Sequence, residues 1–157
     1  MSQTTWKKGD YTISTDRTMF DLEMIYRYLS QESYWAQGLP REVFDKSIKH
    51  SSLCFGLFAG NPESKPAEQV GFARVISDLA TFAYLADVFI LLPHRGKGLS
   101  KWLVATILNH QDLKGLRRFM LATKDAHALY EKFGFKYLSQ PDKMMEIARG
   151  SSVYQRM

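Results

Sequence analysis

The feature that most constrains the fold is the segment 82–92, FAYLADVFILL, which is apolar except at Asp87 and ends just before a glycine-containing turn. A nearly continuous apolar run of this length is typical of a strand that is covered on both faces. After the turn, Leu99, Leu103 and Ile107 fall on one stripe of a helical pattern. A buried strand, a turn and an amphipathic helix in this order predict a domain of the α/β class.

The remaining hydrophobic patterns predict several further elements on both sides of this segment. The chain order of these elements interleaves strands and helices without strict alternation, so a mixed sheet fits better than a purely parallel one. Pro40 favours a helix start, Gly134 a helix end, and Asp125 is placed to cap the last helix. Strands are predicted at 11–15, 53–59, 70–76, 118–122, 135–138 and 144–148, and helices at 21–30, 41–51 and 126–133.

Length and cysteine content limit the class of protein. The chain has 157 residues and no apolar run of about 18 residues, which predicts a single domain over 1–157 and no membrane span. No secretory signal follows the first positive charges. The only cysteine, Cys54, cannot form an intrachain disulfide and lies in an apolar run, as expected for a buried thiol in a reducing compartment. A cytoplasmic location is therefore expected.

The net charge of +5 permits nucleic acid, an acidic surface or an anionic cofactor as partner. The basic residues are scattered and form no arginine-rich tail, so a nucleic-acid partner is not expected. The histidines at 50, 94, 110 and 127 lack the spacing of metal ligands, so no metal site is predicted.

The turn itself, Arg95-Gly96-Lys97-Gly98, favours an anion. Two glycines permit backbone angles and close approaches that side chains forbid, and the following helix start presents unpaired amides. The P-loop and Rossmann glycine patterns do not fit, because the chain lacks GxxxxGK[ST] and has Lys101 at the position of the third Rossmann glycine. A tight turn with solvated cations is the alternative interpretation.

Two segments together resemble the GCN5-related N-acetyltransferase (GNAT) family. The first, VFILLPHRGKGLSKWLV, is similar to the family's [QR]xxGx[GA] loop with its strand and helix, although Pro93 occupies the [QR] position. The second, AHALYEKFGF, is similar to the family's AxxLYxxxGF segment. The resemblance spans residues 70–138. It implies an acyl-CoA N-acyltransferase fold with a central, mostly antiparallel sheet, flanked by helices and splayed between its fourth and fifth strands.

The resemblance also implies how acetyl-CoA would be bound as cosubstrate. The splayed strands correspond to the runs ending at Leu92 and Ala122, and the pantetheine arm would pair with the free edge of the first as an added strand. Its partners would be the main-chain groups of Phe89, Ile90 and Leu91. The pyrophosphate would be held by the amides of Arg95, Gly96, Lys97, Gly98, Leu99 and Ser100.

The chemistry of amine acetylation then selects candidate catalytic residues. Tyr130, in the LY pair of the second segment, is the candidate donor of a proton to the departing thiolate; a core tyrosine is the alternative. Asp87 is an acid on a strand whose alternation would place it on the face of Leu85 and Phe89, and it is either the acceptor of the amine proton or a structural hydrogen-bonding group.

The acceptor pocket is expected beside the segment between the first two helices. Tyr34 and Trp35, with Tyr84 as an addition, are candidates to stack on a cationic amine, and ordinary packing is the alternative. The resulting hypothesis is an enzyme that transfers acetyl from acetyl-CoA directly to a primary amine of a small molecule or peptide, without a covalent enzyme intermediate. The alternative is a non-catalytic CoA-binding module for sensing or interaction. The family resemblance is also compatible with a homodimer.

Overall fold

The architecture is one mixed sheet with helices on both faces. A computed structural model describes residues 3–156, except for the side chains at positions 65, 66 and 156. Six strands follow one another across the sheet in chain order, antiparallel except for the last pair, which is parallel. The strands are β1 (Thr5–Lys8), β2 (Tyr11–Ser14), β3 (Leu53–Asn61), β4 (Ser64–Ser77), β5 (Phe82–Ile90) and β6 (Arg118–Leu121).

The helices occupy the positions that the sequence patterns indicate, with shorter bounds. A π turn, Tyr28–Glu32, extends the first helix and leads into the loop before the second. Gly134, with φ of 96°, follows the last helix as predicted. The helices are α1 (Leu22–Arg27), α2 (Arg41–His50), α3 (Leu99–Leu108) and α4 (His127–Glu131). Short 3-10 turns occupy Arg17–Met19, Leu92–His94, Gln111–Leu113, Pro141–Lys143 and Ser151–Arg156.

Two hydrophobic cores cover the two faces of the sheet. One packs the buried face of α3 and Tyr130 of α4 against residues such as Phe55 and Val75. The other packs α1 and α2 against residues such as Phe72 and Phe89. Strands in the middle of the sheet are therefore buried on both faces, as the apolar run 82–92 predicts.

Two predicted strands are absent from the structure, and one observed strand was not predicted. Residues 135–138 and 144–148 were expected as strands, but neither segment pairs with another strand among residues 3–156. Their side chains are largely exposed, 77% for Tyr137 and 97% for Met145, so their local pattern has no tertiary partner to stabilise it. Strand β1 was not predicted because its sequence, TWKK, lies at the sheet edge and is only half-buried at two positions.

Strand β5 runs past the end of β6, and this opens the sheet. The two strands pair only where Phe82–Leu85 meets Arg118–Leu121, although β5 continues to Ile90. One edge of β5 is therefore left without a partner strand over its last five residues, 86–90. This is the predicted splay, and it lies between β5 and β6 because the additional strand β1 shifts the numbering by one.

A bulge in β5 reverses the expected alternation of its side chains. Arg74 pairs with Ala86 but Phe72 pairs with Phe89, so two residues of β5, Asp87 and Val88, lie opposite a single residue of β4. Asp87 has φ of 57°, a left-handed conformation that is uncommon for residues other than glycine. The prediction that Leu85 and Phe89 share a face is therefore wrong, and the two side chains belong to opposite cores.

None of the helices within residues 3–156 combines the length and the apolar character that crossing a membrane requires.

Candidate active site

A cleft opens where β5 and β6 diverge, and it has two connected halves. The loop half, about 410 Å³, is lined by the glycine turn, Tyr28 and the end of β5. The sheet half, about 520 Å³, is lined by groups that include Ser47, Arg74, Tyr84 and Tyr154. The residues that line both halves are Tyr34, Trp35, Val88, Asp125, Ala126 and Tyr130. Two reactants, one in each half, would meet at this shared wall.

The glycine turn needs glycine because of its backbone conformation. Gly96 and Gly98 have φ of 79° and 77°, and a Cβ at either position would meet no atom within 4 Å. A side chain would thus be excluded by conformational strain and not by crowding. Within residues 3–156, the amides of Gly96, Lys97 and Gly98 donate to no other backbone carbonyl. These donors and the first amides of α3, at Leu99 and Ser100, can therefore bind an anion.

The cations of the turn have other contacts in this structure. The amide of Arg95 donates to the carbonyl of Leu92 at 3.1 Å, so it is less available than the five amides that follow. The Arg95 side chain donates through Nε to the carbonyl of Ile90 at 2.8 Å. Lys97 Nζ lies 3.2 Å from the hydroxyl of Tyr11, which also contacts His94 Nδ1 at 2.9 Å. Both cations would have to turn toward an anion in the cleft.

The free edge of β5 offers main-chain groups at alternate residues. The amide of Leu91 donates to the carbonyl of Val70 at 2.8 Å, so Leu91 pairs with β4. Because successive residues of an antiparallel strand point their N–H and C=O groups to opposite sides, those of Ile90 face the cleft and those of Phe89 face β4. Of the three residues predicted to pair with an extended ligand, Ile90 has the suitable orientation. The Phe89 ring stacks on the ring of Tyr28 in the wall of the loop half, with 3.9 Å between the ring centroids.

Tyr130 is placed on the shared wall by the first turn of α4. Its side chain is buried, packs edge-on against Phe135 and reaches both halves of the cleft. Burial, with a smaller contribution from nearby Tyr34, raises the pKa of its phenol to about 12. The phenol therefore stays protonated at neutral pH and can act as a proton donor.

Asp87 is held by two partners inside the sheet half. Its Oδ1 accepts from Trp35 Nε1 at 2.7 Å, and its Oδ2 pairs with Arg74 Nε at 2.5 Å. Arg74 also contacts Ser51 Oγ at 3.3 Å. The carboxylate is 10% exposed, and the two contacts join the loop after α1 to β4 and β5. Of the two roles that the sequence leaves open for Asp87, these contacts favour the structural one.

The aromatic candidates for the acceptor pocket line the cleft. Tyr34 and Trp35 are partly exposed and pack edge to face at 5.0 Å. The hydroxyl of Tyr34 accepts from the amide of Lys124, in the segment after β6, at 2.9 Å. Because Trp35 bonds to Asp87 of β5, the loop after α1 is fixed to both sides of the cleft. Tyr84 lines the sheet half from β5.

Asp125 is not the helix cap that the sequence indicates. The N-cap of α4 is Ala126, whose amide donates to Thr123 Oγ1 at 3.0 Å. Asp125 therefore lies one residue before the N-cap, accepts none of the first amides of α4, and is exposed on the shared wall. Sequence reasoning also missed Arg74, whose partner Asp87 is 13 residues away on another strand and gives no local signal.

Comparison with known proteins gives relatives over nearly the whole chain. Residues 61–137 match the family model described as the acetyltransferase (GNAT) domain. The Gibberella zeae protein named "Putative acetyltransferase FG08082" is 35% identical over 159 residues, covering 91% of this chain and 89% of that protein.

Two solved structures show the same fold. A GNAT-family protein of Xanthomonas campestris pv. campestris, xcc2953, is 46% identical with a TM-score of 0.84, covering 92% of this chain and 97% of that one. The crystal structure of a Clostridium acetobutylicum protein described as "predicted acetyltransferase with acetyl-CoA" has a TM-score of 0.59 at 13% identity. The match covers 88% of this chain and 94% of that one.

Proposed function

The chain belongs to the GNAT acetyltransferase family, and from this membership we propose that it transfers acetyl from acetyl-CoA directly to a primary amine. The observation that carries the proposal is the continuous cleft with a row of free amides at one end, a protonated phenol in the middle and an aromatic pocket at the other end. Acetyl-CoA supplies the acyl group as an activated thioester.

The loop half has the donors that acetyl-CoA requires. The amides from Gly96 to Ser100 would bind the pyrophosphate, with Arg95 and Lys97 adding positive charge once they leave their present partners. The main-chain groups of Ile90 would bind the amides of the pantetheine arm in the manner of an added strand. The Clostridium acetobutylicum protein of the same fold was solved with this molecule, which supports the assignment.

The shared wall supplies the proton chemistry. An ammonium has no lone pair, so the acceptor amine must first release its proton to water in the open cleft before it attacks. With a pKa near 10.4, this deprotonation costs about 4–5 kcal/mol at pH 7. Tyr130 would donate a proton to the sulfur that leaves, because its phenol is protonated at neutral pH and lies on the wall that both halves share. We assign Asp87 the role of holding Trp35 in the wall of the acceptor pocket, on the strength of its two contacts.

The experiment measures acetyl-CoA binding by calorimetry and CoA release with a panel of primary amines. Gly98→Ala should weaken acetyl-CoA binding about tenfold or more, because strain displaces the amides of the turn. Gly115→Ala is the matched control: Gly115 has φ of 78° and equally open surroundings but lies outside the cleft, so the same strain should leave binding unchanged.

Three outcomes separate the alternatives. Binding that is lost only in Gly98→Ala, together with CoA release, supports the proposal. Binding without release for any amine would instead support the non-catalytic CoA-binding module. A wild-type protein that binds no acetyl-CoA would refute both.

A further inference from the structure

The lining of the sheet half carries one negative charge without a counter-charge. Its lining includes three charged residues, Arg74, Asp87 and Asp125. Arg74 and Asp87 neutralise each other in an ion pair of 2.5 Å that is mostly buried. The remaining charge is the carboxylate of Asp125.

The carboxylate of Asp125 is available to a ligand. Within residues 3–156 it forms no ion pair and accepts no hydrogen bond, and α4 begins after it, with Ala126 as the N-cap. The nearest residue of opposite charge in sequence, Lys124, places its Nζ over the ring of Tyr34, 5.4 Å from the centroid, and does not line the cleft. Asp125 lines both halves beside Tyr130, where acceptor and thioester would meet.

The rest of the pocket also suits a cation. Trp35, Tyr84 and Tyr154 line the same cavity, and aromatic faces attract cations and repel anions. The arginine is already paired, so a carboxylate or phosphate on the acceptor would have no free cationic partner in this lining.

We infer that the acceptor is a small cationic amine without a carboxylate or phosphate group, and that Asp125 binds its ammonium. This inference rests on the proposed function. It assigns a substrate class to the sheet half and a binding role to a residue that sequence reasoning treats as a helix cap.

The test compares three acceptors with the same primary amine and chain: hexylamine, aminohexanol and aminohexanoate. With the wild-type protein, hexylamine and aminohexanol should have similar kcat/KM. Aminohexanoate should have a value at least about tenfold lower, because it alone of the three carries an anionic group at its far end. The comparison with aminohexanol separates charge from polarity.

Variants of Asp125 test the residue. Asp125→Asn should raise KM for hexylamine about tenfold and leave acetyl-CoA affinity unchanged. Asp125→Glu should restore part of the affinity. Asp142→Asn, which removes the same charge from an exposed turn outside the cleft, should change none of these values.

The inference is overturned if aminohexanoate is used as well as aminohexanol, or if Asp125→Asn leaves KM for hexylamine unchanged. If no CoA is released with any acceptor, the proposed function fails. The binding of the three compounds, measured by saturation-transfer NMR, then still decides the inference. Tighter binding of hexylamine and aminohexanol than of aminohexanoate, with hexylamine binding weakened in Asp125→Asn, would support it, and equal binding of all three would refute it.

Discussion

Tyr130 is the residue at which burial sets the protonation state of the candidate site. Burial raises the pKa of its phenol to about 12, above the ordinary value of about 10. The folded state therefore favours the neutral phenol. This contribution to stability is complete below about pH 10 and is lost as the pH rises through about 12. The proton donor should thus remain available across the physiological range.

We predict that Tyr130→Phe lowers kcat by roughly 100-fold with little change in acetyl-CoA affinity, because it removes the proton donor and keeps the ring. In the wild-type protein, kcat should not decline as the pH is raised from neutral to about 10, since the phenol is still protonated there. Steady-state CoA release across pH checks both points. Tyr137→Phe, at a tyrosine that is 77% exposed and outside the cleft, is the control. An unchanged kcat in Tyr130→Phe would assign the residue to the core alone.

The bulge of β5 is the element on which the sheet half depends. It places Asp87 in a left-handed conformation and directs its carboxylate to Arg74 and Trp35. Without the extra residue, the strand would continue its alternation and Leu85 and Phe89 would share a face. The bulge therefore fixes the aromatic loop to the sheet at the point where β5 leaves β6.

We predict that Asp87→Asn lowers the free energy of unfolding by roughly 2 kcal/mol, because Asn tolerates the backbone conformation but leaves Arg74 without a counter-charge. Urea denaturation measures this change. Asp45→Asn, which breaks an exposed pair with Arg41, should cost less than about 0.5 kcal/mol.

The same variant distinguishes the two roles of Asp87. If Asp87 positions Trp35, kcat measured well below the unfolding transition should change by less than about threefold, with a higher KM for the acceptor. A loss of roughly 100-fold in kcat at unchanged stability would instead make Asp87 the base.

At the scale of the whole molecule, the central feature is the cleft that opens where β5 diverges from the edge strand β6. The core beneath α1 and α2 and the core beneath α3 and α4 both contribute to its walls. A ligand in the loop half would contact α3, α4, β5 and the loop after α1 at once. Binding should therefore stabilise the folded chain as a unit.

We predict that acetyl-CoA at about 100 times its Kd stabilises the protein by about 2.7 kcal/mol and raises Tm by roughly 5–10 °C. Differential scanning calorimetry measures the shift. Gly115→Ala should retain it, whereas Gly98→Ala should lose most of it at the same concentration. Absence of a shift in the wild-type protein at millimolar acetyl-CoA would contradict the assignment of the loop half.

The sequence by itself determined the features that depend on residues close together in the chain. The apolar run 82–92, the glycine turn and the stripe of α3 are local patterns, and they predicted the buried strand, the helix start and the family. Positive φ at Gly96 and Gly98 follows from the same local chemistry. These features need no distant partner, and a periodicity or a motif can therefore express them.

Only the tertiary structure decided the features that depend on residues far apart in the chain. The segments 135–138 and 144–148 have strand patterns but find no partner strand, whereas the polar β1 pairs at the sheet edge. The bulge at Asp87 arises from the register between β4 and β5, and its partners Arg74 and Trp35 come from other elements. Asp125 became a candidate binding residue because α4 begins one residue later than the local pattern indicates, with Ala126 as its N-cap. Each of these features depends on contacts between residues that only folding brings together, and a local sequence pattern does not specify which contacts form.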